Sequence, residues 1–408
     1  MRIVLFILLL LGFDLVVYQS VQLAIHEWSS TAKLVAGAIF WTIPVLFICW
    51  YIFGQNQAQD KSKEGNYRLQ RSIFQLIYLA KVVLLLASGL FLLIHPLLQT
   101  LHYFIPSIPV LTENTQLFAQ IAVILALGLF FLMLYGILFN RHRYKIHRVS
   151  VNLPNLPSSF SGLKIVQISD IHSGSFTDKA PLKKGIDLIN QEAADLVFFT
   201  GDLVNSIASE IEPYVEVFSR IQSKYGVFSG LGNHDYGDYV RWPNREIKEA
   251  NLRRLMEIEK VMGWQLLMNE NRLKNINGVS VAVIGVENYS GSPRFSKYGK
   301  LDEAYRGAEK ADIKLLLSHD PSHWDAQIRP NFPDIDVTFS GHTHGAQFGI
   351  EIPKLFRWSP VQYAYKQWAG LYQAGKQYLY VNRGFGYLGY PGRVGILPEI
   401  TVLNVASD

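Results

Sequence analysis

Four long apolar runs occupy the first third of the chain, at about Ile3–Val21, Leu34–Phe53, Ile73–Ile94 and Leu117–Phe139. Each approaches or exceeds the roughly 20 residues a helix needs to cross the hydrocarbon core of a bilayer. Buried helices of a soluble core usually keep a polar face, so the runs predict four transmembrane helices. The first, preceded by Arg2, also reads as a signal peptide. From Arg141 the pattern changes to short β-rich stretches, KIVQIS, DLVFFT, GVFSGL, VAVIGV, IKLLLS and DVTFS, most of them ending abruptly in polar residues. Helical patterns at Pro181–Gln191 and Arg245–Met262 separate some of these. Upstream, VSVNLPNLPSSFSGL reads as a first strand and a turn. The second half is thus an α/β domain with a largely buried sheet. The expected division is 1–140 as membrane anchor, 141–162 as basic linker with the first strand, and 163–408 as the water-soluble domain.

Charge sets the orientation. The connection after the second run carries Lys61, Lys63, Arg68 and Arg71, and the stretch after the fourth carries Arg141, Arg143, Lys145 and Arg148. The connection after the first has only Lys33, and that after the third has no Lys or Arg. By the positive-inside rule both termini and the soluble half face the cytoplasm, from a multi-pass position in the inner (cytoplasmic) membrane. Asp14 and Lys81 fall inside apolar runs at similar depth, where an isolated charge costs at least ~2.5 kcal/mol. Either they pair, or Lys81 snorkels and Asp14 is protonated or hydrogen-bonded. The net charge of +5 suits anionic lipid or phosphate and does not argue for nucleic acid. With Cys49 as the only cysteine, neither an intrachain disulfide nor a cysteine-based zinc site can be built.

The residues just past each strand carry the chemistry. The strand ends deliver Asp170 and His172, then Gly201-Asp202, then Gly232-Asn233-His234-Asp235, then His319, then Gly341-His342-Thr343-His344. Ligands of α/β sheets bind at the carboxyl ends of strands, so five ends converge on one edge. In extended backbone, Asp170/His172 and His342/His344 would each point the same way. Carboxylate, imidazole and amide oxygen suit Mn²⁺, Fe or Zn²⁺. A bridging carboxylate between two metals favours in-line displacement at phosphorus. A lone Asp-x-His is commonplace; the ordered set is not. His323, one helical turn after His319, reads as a surface residue.

The order D-x-H, G-D, G-N-H-D, H, G-H-x-H resembles the calcineurin-like metallophosphoesterase superfamily over about Lys164–Val405. GHTHGAQ followed by NRGFGYLGYPGR and PEI is similar to its bacterial membrane-anchored branch. Some members of the wider family hydrolyse UDP-2,3-diacylglucosamine. The resemblance implies an αββα sandwich of two stacked sheets. It implies one metal held by Asp170, His172, Asp202 and His344, and a second by Asp202, Asn233, His319 and His342. Two divalent ions are implied, Mn²⁺ first, with Fe, Zn²⁺ or Mg²⁺ as alternatives, and a metal-bridging hydroxide as nucleophile. His234 would be a general acid or phosphate clamp oriented by Asp235. Ala346 stands where that branch usually has a second glycine, with no loss of activity expected.

The expected activity is that of a phosphodiesterase or pyrophosphatase acting on a phosphate-containing small molecule or a lipid. Arg294, Arg383 and Arg393 are candidate phosphate ligands. The aromatic insert between Gln347 and Gln377 holds Phe348, Phe356, Trp358, Tyr363, Tyr365, Trp368 and Tyr372 with Lys354, Arg357 and Lys366. It reads either as a satellite core or as an amphipathic lip at the membrane. Competing readings are a non-catalytic sensor or scaffold, a phosphomonoesterase or nuclease, and a transporter with an appended regulatory domain. A scaffold would be expected to lose ligands, a nuclease to carry a basic stripe, and a transporter to show paired intramembrane charges or broken helices, to which Asp14 and Lys81 alone point.

Overall fold

The computed structural model describes residues 2–53, 64–105, 115–154, 156–157, 160, 162–352 and 355–407. Lys61, Lys63, Lys354 and part of the predicted turn before Lys164 lie outside the described residues, as does the side chain of Arg68. The chain forms two compact units, Met1–Tyr135 and Gly136–Asp408.

In the first unit the apolar runs form helices α1 (Arg2–Ala24), α2 (Ser30–Phe53), α3 (Glu64–Phe104) and α4 (Thr115–Tyr135). All four are long and apolar enough to cross a membrane. Of the two readings for the intramembrane charges, the pair is the one that forms: Lys81 Nζ lies 2.5 Å from Asp14 Oδ1. The Tyr78 hydroxyl donates to Asp14 Oδ2 at 3.0 Å, and the Lys81 ammonium sits 4.5 Å from the Phe40 ring centroid. Both charges are buried, so mutual neutralisation replaces the hydration each has lost.

The second unit is built from two six-stranded sheets. Strands β1 (Lys145–Leu153), β2 (Leu163–Ile168), β3 (Leu196–Phe199), β4 (Val227–Ser229), β5 (Gln265–Leu266) and β14 (Glu399–Ser407) form the first sheet, in the order β1-β14-β2-β3-β4-β5. The second runs β12-β13-β9-β8-β7-β6, from β6 (Glu270–Ile276), β7 (Val279–Gly285), β8 (Ile313–Leu317), β9 (Val337–Ser340), β12 (Gly370–Ala374) and β13 (Gln377–Val381). A separate hairpin pairs β10 (Ile350–Ile352) with β11 (Phe356–Trp358).

The strands that carry the site are nearly all-apolar because both of their faces are covered. Ile165, Leu196, Phe198 and Phe228 meet Val283, Leu315, Val337 and Phe339 in the layer between the sheets. On the outer face of the first sheet, Val166, Val197 and Phe199 pack on the helices Ala180–Gln191 and Arg245–Val261. Outside the second, Ala282, Ile284 and Leu316 pack on Leu301, Trp324 and Ile328. This is the αββα sandwich. β2, β3 and β4 run parallel, as do β8 and β9. Gln167 joins the two sheets beneath the site by donating to the Ser340 carbonyl at 2.9 Å.

Glu259, fully buried on the helix under β4, accepts from the Ser229 hydroxyl. Burial pushes its carboxyl up from 4.5 to about 8. Between those values the unfolded chain ionises while the folded one keeps the proton, so stability falls as pH rises through the window. Glu259→Gln should remove that decline. Thermal unfolding of the purified protein in detergent from pH 5 to 9 would check it, a parallel slope in both proteins counting against the assignment.

Candidate metal centre

Each strand of the central group ends in a tight turn that carries one or two polar side chains. Asp170, His172, Asp202, His342 and His344 all adopt left-handed backbone, with φ of 52°, 48°, 61°, 70° and 50°. The extended geometry expected for the two i, i+2 pairs is therefore corrected. Their side chains converge because the chain turns sharply at each, a conformation that costs non-glycine residues energy and clusters at functional sites. Gly201 (φ 98°) could not take a side chain, because a Cβ there would strike the backbone of Gly232. Ala346 also has positive φ, 51°, so a glycine at that position would relieve strain.

Two clusters of buried donors result. Asp170, His172 and His344 form one, and Asp202, His319 and His342 the other, with the donor atoms of each within 4.8 Å of one another. In the first, His172 Nε2 faces His344 Nε2 at 3.0 Å, and His344 Nε2 lies 3.3 Å from Asp170 Oδ1. In the second, His319 Nε2 faces His342 Nδ1 at 3.3 Å, and Asn233 Oδ1 is 2.8 Å from the same His342 nitrogen. Asp202 Oδ2 stands between them, 3.5 Å from His172 Nε2 and 3.2 Å from His319 Nε2.

The donors fit a pair of divalent cations. Imidazole nitrogens that face each other directly, beside carboxylate oxygens, offer converging lone pairs with at most one proton to share. His319 is held in this orientation by its Nδ1, 2.7 Å from the Thr200 carbonyl oxygen, which leaves Nε2 facing the cluster. Burial lowers His172 to about 3 and His342 to about 4, keeping both in the neutral form that ligates metal. Burial opposes the charging of His319, but the Asp202 carboxylate outweighs it and raises the imidazole to about 10.

His234 and Asp235 separate in role. The His234 ring lines the cavity over the clusters, with Nδ1 2.7 Å from the carbonyl oxygen of Asn205. A carbonyl only accepts, so Nδ1 carries a proton and Nε2 is the atom left for exchange. The expectation that Asp235 orients His234 is corrected. Its carboxylate accepts from the backbone N–H groups of Asp202, Leu203, Val204 and Gly232 instead, so it fixes the loop that presents Asp202.

Of the three arginines, only Arg294 reaches the cavity, a space of about 440 Å³ also lined by Tyr239, Phe295, Tyr365 and Leu388. Arg383 is buried in ion pairs with Glu399 at 2.7 Å and with Glu351. Arg393 is buried and donates to the carbonyls of Arg383, Gly384 and Gly386. Both arginines hold the loop behind the site and are unavailable to substrate. His323 is likewise core, not surface: it is fully buried and bonded to Ser318 and Gln327.

Three contributors were not singled out for the site from the sequence. The Tyr239 ring stacks on His234 with centroids 4.3 Å apart, and its hydroxyl accepts from Asn233 Nδ2 at 2.7 Å. Tyr365, from the aromatic insert, places its hydroxyl 2.7 Å from His342 Nε2. Asp320, next to His319, sets Oδ2 3.7 Å from the same nitrogen. Adjacency to the motif was the only available signal, for Asp320 and for Tyr239.

Residues 163–346 match the family model for calcineurin-like phosphoesterase, and residues 1–141 match one described as probable calcineurin-like phosphoesterase, transmembrane domain. A transmembrane protein with metallophosphoesterase domain from Danio rerio is 27% identical over 66% of this chain and 59% of its own length. The chain thus spans about six tenths of that relative. An uncharacterized metallophosphoesterase of Bacillus subtilis, YkuE, is 28% identical over 62% of this chain and 82% of its own. The UDP-2,3-diacylglucosamine pyrophosphatase LpxG of Chlamydia trachomatis is 27% identical over 52% of this chain and 72% of its own.

Proposed function

We propose that this chain, which belongs to the calcineurin-like phosphoesterases and carries their four-helix transmembrane domain, hydrolyses a phosphodiester or pyrophosphate bond of a lipid-linked or nucleotide-linked substrate. The observation that supports this best is the position of Asp202, its Oδ2 within 3.5 Å of a histidine from each donor cluster. In this reading Asp170, His172, Asp202 and His344 hold one divalent cation, and Asp202, Asn233, His319 and His342 the other, with Mn²⁺ the favoured ion. Such a pair supplies charge stabilisation at phosphorus and an acidified water.

The chain's own residues do the rest. His234 donates a proton to the leaving oxygen from Nε2 while the Asn205 carbonyl holds the ring. Arg294, exposed at the cavity rim, receives a phosphate of the substrate. The likeness to LpxG makes a UDP-linked diacylated sugar the first substrate to try.

The deciding experiment is turnover of the purified full-length protein against bis-p-nitrophenyl phosphate, UDP-diacylglucosamine, lipid phosphates and cyclic nucleotides. Prolonged EDTA should abolish hydrolysis and Mn²⁺ should restore it. Full activity in excess chelator would remove the dinuclear reading. We place the soluble half in the cytoplasm of an inner-membrane protein, on the Lys and Arg asymmetry. A C-terminal fusion to alkaline phosphatase, active only outside, should therefore be silent, and a strong signal would reverse the orientation.

A further inference from the structure

The hairpin of β10 and β11 is inverted relative to a hairpin in water. Its central cross-strand pair is Glu351 opposite Arg357, and the charged end of each bonds back to the domain, Glu351 half-buried and Arg357 still exposed. Glu351 is ion-paired with Arg383. Arg357 donates to the Ala369 carbonyl at 2.6 Å and lies over the Tyr372 ring. The alternating apolar residues face outward instead: Ile350 is 51% exposed, Ile352 47% and Phe356 52%, and Leu355 beside them is 79% exposed. Side chains alternate between the faces of a strand, so the outer face is apolar by construction. The hairpin pairs with neither large sheet, and a two-stranded hairpin is marginal alone in water. An exposed apolar patch of this kind marks a surface that something covers.

The root of the hairpin favours a lipid surface as that cover. Gly349 donates to the Val394 carbonyl at 2.9 Å, and Arg393 donates to the Gly136 carbonyl at 3.2 Å. The hairpin therefore begins one short backbone segment away from Gly136–Asn140. Those residues close the span Thr115–Asn140, which is apolar enough to cross a membrane. Backbone hydrogen bonds through Arg393 and Val394 thus tie the root of the hairpin to the chain segment that closes this span.

We propose that the β10–β11 hairpin inserts into the lipid interface and holds the mouth of the metal cavity at the bilayer surface. Ala364 and Tyr365, a few residues past β11, line that cavity. The substrate class is then an amphiphile whose phosphate group emerges from the bilayer, a deduction that rests on the phosphoesterase reading above.

The test uses the full-length protein with Cys49→Ser, reconstituted in phosphatidylcholine–phosphatidylglycerol vesicles. An environment-sensitive fluorophore is attached through Leu355→Cys or, as control, Lys310→Cys. Lys310 is exposed and precedes β8, at the sheet edge opposite the site. Doxyl-labelled lipids should quench the label at position 355 at least about twofold more than at 310, as expected of an apolar face buried in the headgroup region. Equal quenching, with equal access to aqueous iodide, would overturn the proposal. In a second arm, Leu355→Ser/Phe356→Ser should lower turnover of a vesicle-embedded lipid phosphate by roughly tenfold and leave bis-p-nitrophenyl phosphate unchanged. Equal losses on both would make the hairpin merely structural. If the parent hydrolyses neither substrate, the phosphoesterase reading fails, and the quenching result still decides the docking.

Discussion

Asp202→Ala is expected to lower kcat/KM by at least about 10³-fold and to strip metal from the protein in the same step. Loss of a single preorganised electrostatic group costs roughly 10² to 10³, and this carboxylate faces both donor clusters. Removing it leaves His172, His344 and Asp170 on one side and His319, His342 and Asn233 on the other without the shared anion between them. Asp202 Oδ1 also accepts from the backbone N–H of His234 at 2.9 Å, so alanine disturbs the loop as well as the charge. Asp202→Asn separates the two effects, because its amide oxygen can still accept from His234 while the negative charge is gone. Elemental analysis should find both variants depleted in metal, with far-ultraviolet circular dichroism unchanged. A full complement of two ions in Asp202→Asn would mean that the carboxylate does not serve both clusters.

The parts of this molecule written in side chains were legible in its sequence. Apolar runs, strand cores and the ordered Asp, His and Asn residues at strand ends depend on residue type, and the chain brings the polar ones together, through left-handed turns in place of the extended backbone expected. What stayed hidden depends on backbone atoms and distant packing. Nothing in the sequence says that the group orienting His234 is the carbonyl of Asn205, because every residue has a carbonyl. Asp235 reads as the partner of its neighbour His234, yet four backbone N–H groups compete for it and win by geometry. Arg383 and Arg393 look like phosphate ligands only until Glu399 and a set of buried carbonyls occupy their donors. His323 reads as exposed because it falls one helical turn after His319 in a helix started by proline, but Tyr289 stacks on its ring and closes it off. In the hairpin, an outward Ile350–Ile352 pair is invisible to an alternation rule that places apolar side chains inward by default.

His234→Ala is expected to lower turnover by about 10² to 10⁴ while metal content stays at the parent level. The reason lies in what the ring touches. Its Nδ1 is engaged by Asn205 and its face by Tyr239, and it meets the donor His172 only as an edge-to-face ring contact with centroids 4.9 Å apart. His234 therefore acts on the substrate from the cavity side. If Nε2 protonates the leaving oxygen, the size of the loss must track the basicity of that oxygen. An alkoxide or a phosphoryl group of high pKa needs the proton, whereas p-nitrophenolate leaves nearly as well without it. The loss should thus shrink toward the lower figure for bis-p-nitrophenyl phosphate and approach the upper one for an unactivated alkyl diester. Asp235→Asn offers the contrast: because its carboxylate fixes the Asp202 loop, the damage should appear as reduced metal content and stability, without leaving-group dependence. If His234→Ala loses metal as severely as Asp202→Ala, the ring is a ligand. If its loss is the same for every leaving group, the ring clamps phosphate and does not deliver the proton.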